Sequence, residues 1–298
     1  MRIFLTGASG WIGSAVVPEL QAGGHQVVGL ARSAESAAAL SAAGVEPLSG
    51  SLDDLDSLRA GAEDADAVIH LAFKHDFSDY AGAGRTERAA VEALGDTLAG
   101  SDRALLIASG LGGLAVGRVA TEDDATQHVD ATSPRGASEH LALSYADRGV
   151  RAVALRFAAS VHGDRDHGFV AELVRVAQER GVAGYVGDGA NRWPAVHRSD
   201  AARLVALALE KSPAGSVVHA AGEEGIAARD IAAAIGRRFD LPTGSIEPER
   251  ADEHFGWIGR FFGIDIPASS RLTQERLGWT PTGPGLLDDI ASGAYGPR

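Results

Sequence analysis

The chain has 298 residues, 45% hydrophobic and 22% charged, with a net charge of −13; this suits one large α/β domain or a domain with a smaller annex, and the acidic balance without a basic run argues against a nucleic-acid partner. There is no cysteine, which excludes disulfides, thiolate catalysis and cysteine-bound zinc. No run of about 18 apolar residues occurs, so no membrane helix is expected, and the first apolar run meets a glycine turn too soon for a signal peptide, so a cytoplasmic protein is expected.

Strand-like apolar runs alternate with helical patterns through the first two-thirds of the chain. RIFLT (2–6) leads to a helix from Trp11 to about Ala22. QVVGLAR (26–32) leads to an alanine-rich helix at 34–43, and VEPLSG (45–50) to a short helix at 53–61. DAVIHLAF (66–73) precedes a helix near 80–99. RALLIAS (103–109) precedes a loop and a helix near 134–148, and VRAVALRF (150–157) follows. Strands this rich in Val, Ile and Leu are buried on both faces, and the alternation predicts a parallel sheet wrapped by helices on both sides. The predicted fold is therefore α/β, a Rossmann-type doubly wound parallel sheet.

Beyond Phe157 the rhythm loosens. HGDRDHG (162–168) reads as a polar loop, 169–180 as a helix, and AGYVGDGANRWPAVH (183–197) as a stretch rich in glycine and turn residues. A helix at 198–211 and a strand at 215–222 follow, then helices at 227–239 and 251–262 among much Pro and Gly. Residues 1–165, rejoined by 189–222, are expected to form the cofactor-binding core. Residues 166–188 and 223–298 are expected to form a smaller substrate-binding region.

TGASGWIG (6–13) sets Gly7, Gly10 and Gly13 between the first strand and the first helix. Gly7 permits the tight turn, Gly10 lets the backbone approach a pyrophosphate, and Gly13 lets helix and strand pack closely. The helix start then offers N–H donors to phosphate, with Ser9, Trp11 and Ile12 lining the turn. The second strand ends in Arg32 and Ser33, with no acid at its tip. An acid there would grip the ribose hydroxyl of NAD, whereas an arginine suits the additional phosphate of NADP, so NADPH is the expected cofactor. Such sheets bind ligands at the carboxyl ends of their strands. That adds Ser51, Leu52, Leu71, Ala72, Phe73, Lys74, Ala108, Phe157 and Ala158 to the expected cofactor contacts.

The Gly-x-x-Gly-x-x-Gly spacing, DAVIHLAF, VALRFAASVHG and PAVHRSDAARLVALALE together resemble the extended short-chain dehydrogenase/reductases over nearly the whole chain. The resemblance implies a nicotinamide cofactor and a substrate cleft under the C-terminal part. It also implies a Ser or Thr after the fifth strand and a Tyr-x-x-x-Lys on the next helix, the tyrosine donating the proton. Here Gly110, beside Ser109, falls at the serine position, and Arg135 and Glu139 fall on the tyrosine and the lysine. Of the four tyrosines, Tyr80, Tyr145 and Tyr185 are followed four residues on by Gly84, Gly149 and Gly189, and neither lysine, Lys74 or Lys211, lies four residues after a tyrosine. The pattern is similar to that of the triad-less ketoreductases that tailor aromatic polyketide antibiotics, among them the angucyclinone ketoreductase of simocyclinone biosynthesis.

Ketone reduction must still stabilise or protonate a developing alkoxide. The catalytic candidates are Ser109, Lys74 and His75. Phe73, His75, Ser109, Gly110, His162 and Trp193 are the candidate substrate contacts, and no metal is expected. A phenol next to the substrate ketone, titrating near about 10 as tyrosine does, is a further proton source, leaving the protein to supply proximity and orientation. The expected function is NADPH-dependent reduction of a small-molecule carbonyl on a bulky, aromatic substrate. The alternatives are a non-catalytic NADP-binding sensor or scaffold and a sugar-type epimerase or dehydratase, against which the missing tyrosine counts. Fold alone does not separate them. The oligomeric state is not readable.

Overall fold

In a computed structural model, which describes residues 1–76, 79–126, 129 and 134–295, the chain begins with the expected strand–helix alternation. β1 (Arg2–Thr6), α1 (Gly13–Ala22), β2 (Gln26–Ala31), α2 (Ala34–Ala42), β3 (Glu46–Ser49), α3 (Leu55–Glu63), β4 (Ala67–His70), α4 (Tyr80–Leu98), β5 (Ala104–Gly110), α5 (Pro134–Ser144) and β6 (Arg151–Phe157) follow one another. Then come β7 (Ser160–His162), α6 (Phe169–Arg180), β8 (Ala183–Val186), β9 (Arg192–His197), α7 (Arg198–Lys211), β10 (Ser216–Ala220), β11 (Glu223–Ala227) and α8 (Ala228–Phe239). β12 (Thr243–Ile246), α9 (Ala251–Phe255), α10 (Gly259–Phe262), α11 (Arg271–Leu277) and α12 (Leu286–Ser292) complete the chain.

Among the described residues, seven strands form one sheet in the order β10-β6-β5-β4-β1-β2-β3, every pair parallel. The strand order reverses between β1 and β4, the place where an open sheet of this kind parts into a ligand crevice. Alternation along β1 feeds both layers: Ile3 and Leu5 pack with Val16 and Leu20 of α1 and Leu204 of α7. Phe4 points the other way, onto Leu58 of α3 and Leu94 of α4. Period-two burial on both faces is why these strands read as continuous apolar runs.

A separate core joins Val170 of α6, Trp193, Ile231 of α8, Phe255, Phe262 and Leu286 of α12. It is framed by a three-stranded sheet, β11-β9-β7, and by the pair β12-β8. Here the structure departs from the sequence reading. The glycine-rich stretch 183–197 contains two strands, and β9 pairs with β7 and β11 rather than rejoining the main sheet. The expected helix 251–262 is broken at Gly256, whose φ of +65° interrupts it before a tight turn and α10. The helix expected to run to 148 ends as α-helix at Ser144, and one tighter turn (Tyr145–Arg148) closes on Gly149 in the left-handed conformation. Among the described residues, no helix is long and apolar enough to cross a membrane.

Candidate functional site

A cleft of about 1150 Å³ lies at the carboxyl ends of β1, β2 and β4. Its near side is the glycine turn. Gly7 has φ +72°, and a Cβ there would sit 2.8 Å from Ala72 N; a Cβ on Gly13 would sit 2.0 Å from Gly7 O. The turn therefore admits no side chain at either position. α1 starts with no side-chain cap and no acid in its first turn, so its leading N–H groups are left for an anion. Residues far along the chain brace the turn: the Trp11 indole N–H donates to Val161 O at 2.6 Å, and Arg198 Nε donates to Trp11 O at 2.6 Å. This cradle fits the pyrophosphate of a dinucleotide.

Gly7, residues 9–13, Arg32, Ser51, Leu52 and residues 71–75 all line the cleft. Arg32 is exposed at the end of β2 with no acid beside it in sequence. Ser33, expected as a cofactor contact, is instead the cap of α2: its Oγ accepts from Ser36 N at 3.1 Å, and Ser36 Oγ accepts from Ser33 N at 3.1 Å. Ser36 is the hydroxyl of that cap that reaches the cleft wall. Lys74, a catalytic candidate, is held by Asp53 at 2.5 Å, which turns its ammonium toward the loop after β3. His75 stays on the cleft wall, its ring edge-on to Phe73 at 5.3 Å. Burial, and then the charge of Arg135, push its imidazole below the ordinary histidine value, so it is neutral at neutral pH and a weak acid.

Several expected contacts lie behind the wall. Ala108, Ser109, Phe157 and Ala158 are buried, Gly110 is half-buried, and none of them lines the cleft. Trp193 is 1% exposed and packs between Phe169 and Phe262 at 5.7 and 5.2 Å; it is a core residue, not a stacking platform for substrate. His162 is fully buried, its Nδ1 2.6 Å from Asp289 Oδ2, and it ties α12 to β7. The aromatic pattern in the sequence was the same for core and cleft, and burial is what separates them.

The far wall came from parts of the chain that the motifs do not cover. It consists of the loop 164–168, the exposed face of α6, Trp257 and Tyr295. Phe169 meets Trp257 edge-on at 5.6 Å and stacks on Phe261 at 5.9 Å. The Tyr295 hydroxyl donates to Asp166 Oδ2 at 2.8 Å, and Gly168 N–H donates to Oδ1 at 2.7 Å. Burial raises the Asp166 carboxyl above the ordinary carboxylate value and pushes the Tyr295 phenol far above its own.

The two positions matched to the missing tyrosine and lysine hold working charges. Glu139 is 1% exposed and accepts from Arg156 Nε at 3.0 Å and Nη2 at 2.6 Å. Arg156 is equally buried, so Glu139 neutralises a cation in the sheet rather than touching cofactor. Arg135 Nη1 donates to Ala108 O at 3.2 Å and lies 3.6 Å from Glu87. Behind Glu87 stands a buried chain. Ala72 N–H occupies Thr6 Oγ1 at 3.2 Å, leaving the Thr6 hydroxyl to donate to His70 Nδ1 at 2.7 Å, and His70 Nε2–H donates to Glu87 Oε2 at 3.2 Å. The sequence offered His70 only as part of a strand signature, and Glu87 only as one acid in a long helix.

Known proteins match this architecture. The family model "NAD dependent epimerase/dehydratase family" covers residues 3–221. The uncharacterized protein C2A9.02 of Schizosaccharomyces pombe is 49% identical over 296 residues, 99% of this chain and 100% of that protein. The 4-hydroxy-2-methyl-3-oxo-4-farnesyl-3,4-dihydroquinoline-1-oxide ketoreductase of Stigmatella aurantiaca is 38% identical over 72 residues, 24% of this chain and 22% of that protein. Among solved structures, DesIV, a dTDP-glucose 4,6-dehydratase from Streptomyces venezuelae with NAD bound, superposes with a TM-score of 0.79 at 19% identity, covering 99% of this chain and 96% of that one. The narrower likeness to polyketide ketoreductases, and to the simocyclinone enzyme in particular, has no support here beyond the short Stigmatella match. With a glycine cradle that fits a dinucleotide and a family model spanning the sheet from β1 to β10, the chain belongs to the NAD dependent epimerase/dehydratase family, the extended short-chain dehydrogenase/reductases, whose cofactor is a nicotinamide dinucleotide.

Proposed function

We propose that the protein is an NADPH-dependent ketoreductase acting on a small, flat, aromatic carbonyl compound. One observation carries this reading: the far wall of the cleft is aromatic, and both of its cations are already paired. Arg175 is bound by Glu172 at 2.7 Å and by Glu179, and Arg165 faces Asp164 at 3.5 Å. A nucleotide-sugar diphosphate would meet carboxylates there, whereas a planar ring system would meet Phe169 and Trp257. The absence of a Tyr-x-x-x-Lys weighs the same way, because epimerases and dehydratases need that acid–base pair.

Arg32 supports NADPH, since an exposed guanidinium at the end of β2 suits a ribose phosphate. The reduced nicotinamide supplies hydride to the carbonyl carbon. With His75 neutral and Lys74 bound to Asp53, the proton for the oxygen comes from a phenol flanking the substrate ketone. The test is a turnover panel. Loss of NADPH absorbance with hydroxyquinones and polycyclic hydroxyketones, and none with dTDP- or UDP-glucose, is expected. Turnover or tight binding of a nucleotide sugar, with the aromatic ketones inert, would contradict the assignment.

A further inference from the structure

Arg135 stands near the start of α5, at the carboxyl ends of β4 and β5, with donors to spare. Only Nη1 is engaged, by Ala108 O at 3.2 Å and by Glu87 at 3.6 Å. The guanidinium carbon lies 3.8 Å from the centre of the Phe73 ring, and Phe73 forms part of the cleft wall. No other partner of Arg135 occurs among the described residues, and its side chain remains 25% exposed. A guanidinium has five N–H donors in a fixed fork, so those on Nε and Nη2 are left for a ligand.

What lies behind it fixes its place. Glu87 is 1% exposed, and its Oε1 has no hydrogen bond. A buried carboxylate of this kind needs a counter-charge, and Arg135 provides it. The Thr6–His70–Glu87 chain is locked by hydrogen bonds within the sheet and α4. The cation is thus held from behind by a rigid carboxylate and from below by an aromatic face, with the rest of its fork unspent.

Resting on the ketoreductase reading above, we infer that Arg135 is the oxyanion-binding residue, its free N–H donors holding the carbonyl oxygen of a planar ketone or quinone. As the carbonyl carbon accepts hydride from the reduced nicotinamide, the C–O π pair moves onto oxygen, and the guanidinium stabilises the alkoxide so formed. A guanidinium does not give up its proton. The alkoxide therefore takes a proton from the neighbouring phenol of the substrate, leaving a phenolate, or from water, leaving hydroxide. Arg135 replaces the charge stabilisation of the usual tyrosine and lysine, but not the proton.

The experiment reads binding, not turnover. Trp11 and Trp257 line the cleft, so their fluorescence reports ligands in the presence of NADP⁺. The probes are a hydroxynaphthoquinone, ionised at neutral pH, and the parent naphthoquinone, which is neutral. The wild-type protein should prefer the anion by roughly 10- to 100-fold, the effect of a charge-assisted hydrogen bond. Arg135→Met and Arg135→Gln should each erase that preference while NADP⁺ binding is unchanged. Either variant keeping the preference overturns the inference, as does a wild-type protein that binds both quinones equally. A wild-type protein that binds NADP⁺ but neither quinone overturns the aromatic-carbonyl reading itself, and the inference with it.

Discussion

At the scale of single residues, identity in the sequence and role in the structure part company most clearly at the helix that should carry the acid. Tyr145 is the tyrosine on that segment, and it is 2% exposed. Its hydroxyl donates to Asp96 Oδ1 at 2.9 Å and to Glu92 O at 3.2 Å, and its ring rests where a Cβ on Gly95 would clash at 2.5 Å. Burial, and then the bond to Asp96, push the phenol up to about 12. Tyr145→Phe should lower stability by about 1 kcal/mol, the net value of one hydrogen bond, as read by urea unfolding, and leave turnover unchanged. A large loss of turnover in a variant that still binds cofactor would make Tyr145 a hidden acid. Arg32 has the opposite character. Arg32→Ala should weaken NADPH by about 1.5–3 kcal/mol, the range for hydrogen bonds to charged groups, and leave NADH binding unaltered in parallel titrations. Equal losses for both cofactors would remove Arg32 from the ribose phosphate. The glycine turn was legible residue by residue because each position answers a backbone demand that only glycine meets. Trp193 and His162 were not, because an aromatic or a histidine has the same letter in a core as in a cleft.

At the scale of elements, strands and helices with strong periodicity were legible, and short ones were not. β7, β8, β11 and β12 have three to five residues each, too few to show alternation, and they are held by tertiary contacts with α6, α8 and α12 rather than by local propensity. β10 illustrates how such contacts set the properties of an element. His219 on this strand is fully buried: its Nδ1–H donates to Ser269 O at 2.7 Å, and its Nε2 accepts from Arg156 Nη1 at 3.2 Å. It faces Glu122 and Glu139 as well as the Arg156 cation, and burial outweighs them all, holding its imidazole down to about 4. An unfolded chain titrates near the ordinary value of 6.5. The unfolded state therefore binds the extra proton first as pH falls. The contribution is present in full above about 6.5 and is lost through the window down to about 4, amounting to roughly 3 kcal/mol. His219→Gln should flatten the stability profile across that window in denaturant melts. An unchanged acid slope in the variant would place the proton uptake elsewhere.

At the scale of the whole molecule, the cofactor half and the substrate half differ in what the sequence can carry. The sheet from β1 to β6 follows a spacing rule that serves any dinucleotide, so its order and the place of its crevice follow from motifs. The substrate wall is assembled from a loop, one face of α6, Trp257 and Tyr295, segments brought together only by the second core. No spacing rule links them, and the pairing of Arg175 with Glu172 and Glu179 acquires meaning only once α6 faces the cleft. The same holds for Arg135, which in the sequence is a lost tyrosine and in the structure is a cation supported by Glu87. The account joins these halves in one claim: the cleft delivers hydride from NADPH to the carbonyl of an aromatic substrate, with charge stabilisation from the protein and the proton from outside it. The most direct measurement is mass spectrometry of the product formed from a hydroxyl-flanked polycyclic ketone with NADPH carrying deuterium at its reactive carbon, run beside the methyl ether of the same ketone. The account predicts deuterium at the carbinol carbon of the first substrate, and no product from the ether although it still binds. Deuterium transfer to the ether at an undiminished rate, or no transfer to either ketone alongside turnover of dTDP-glucose, would contradict it.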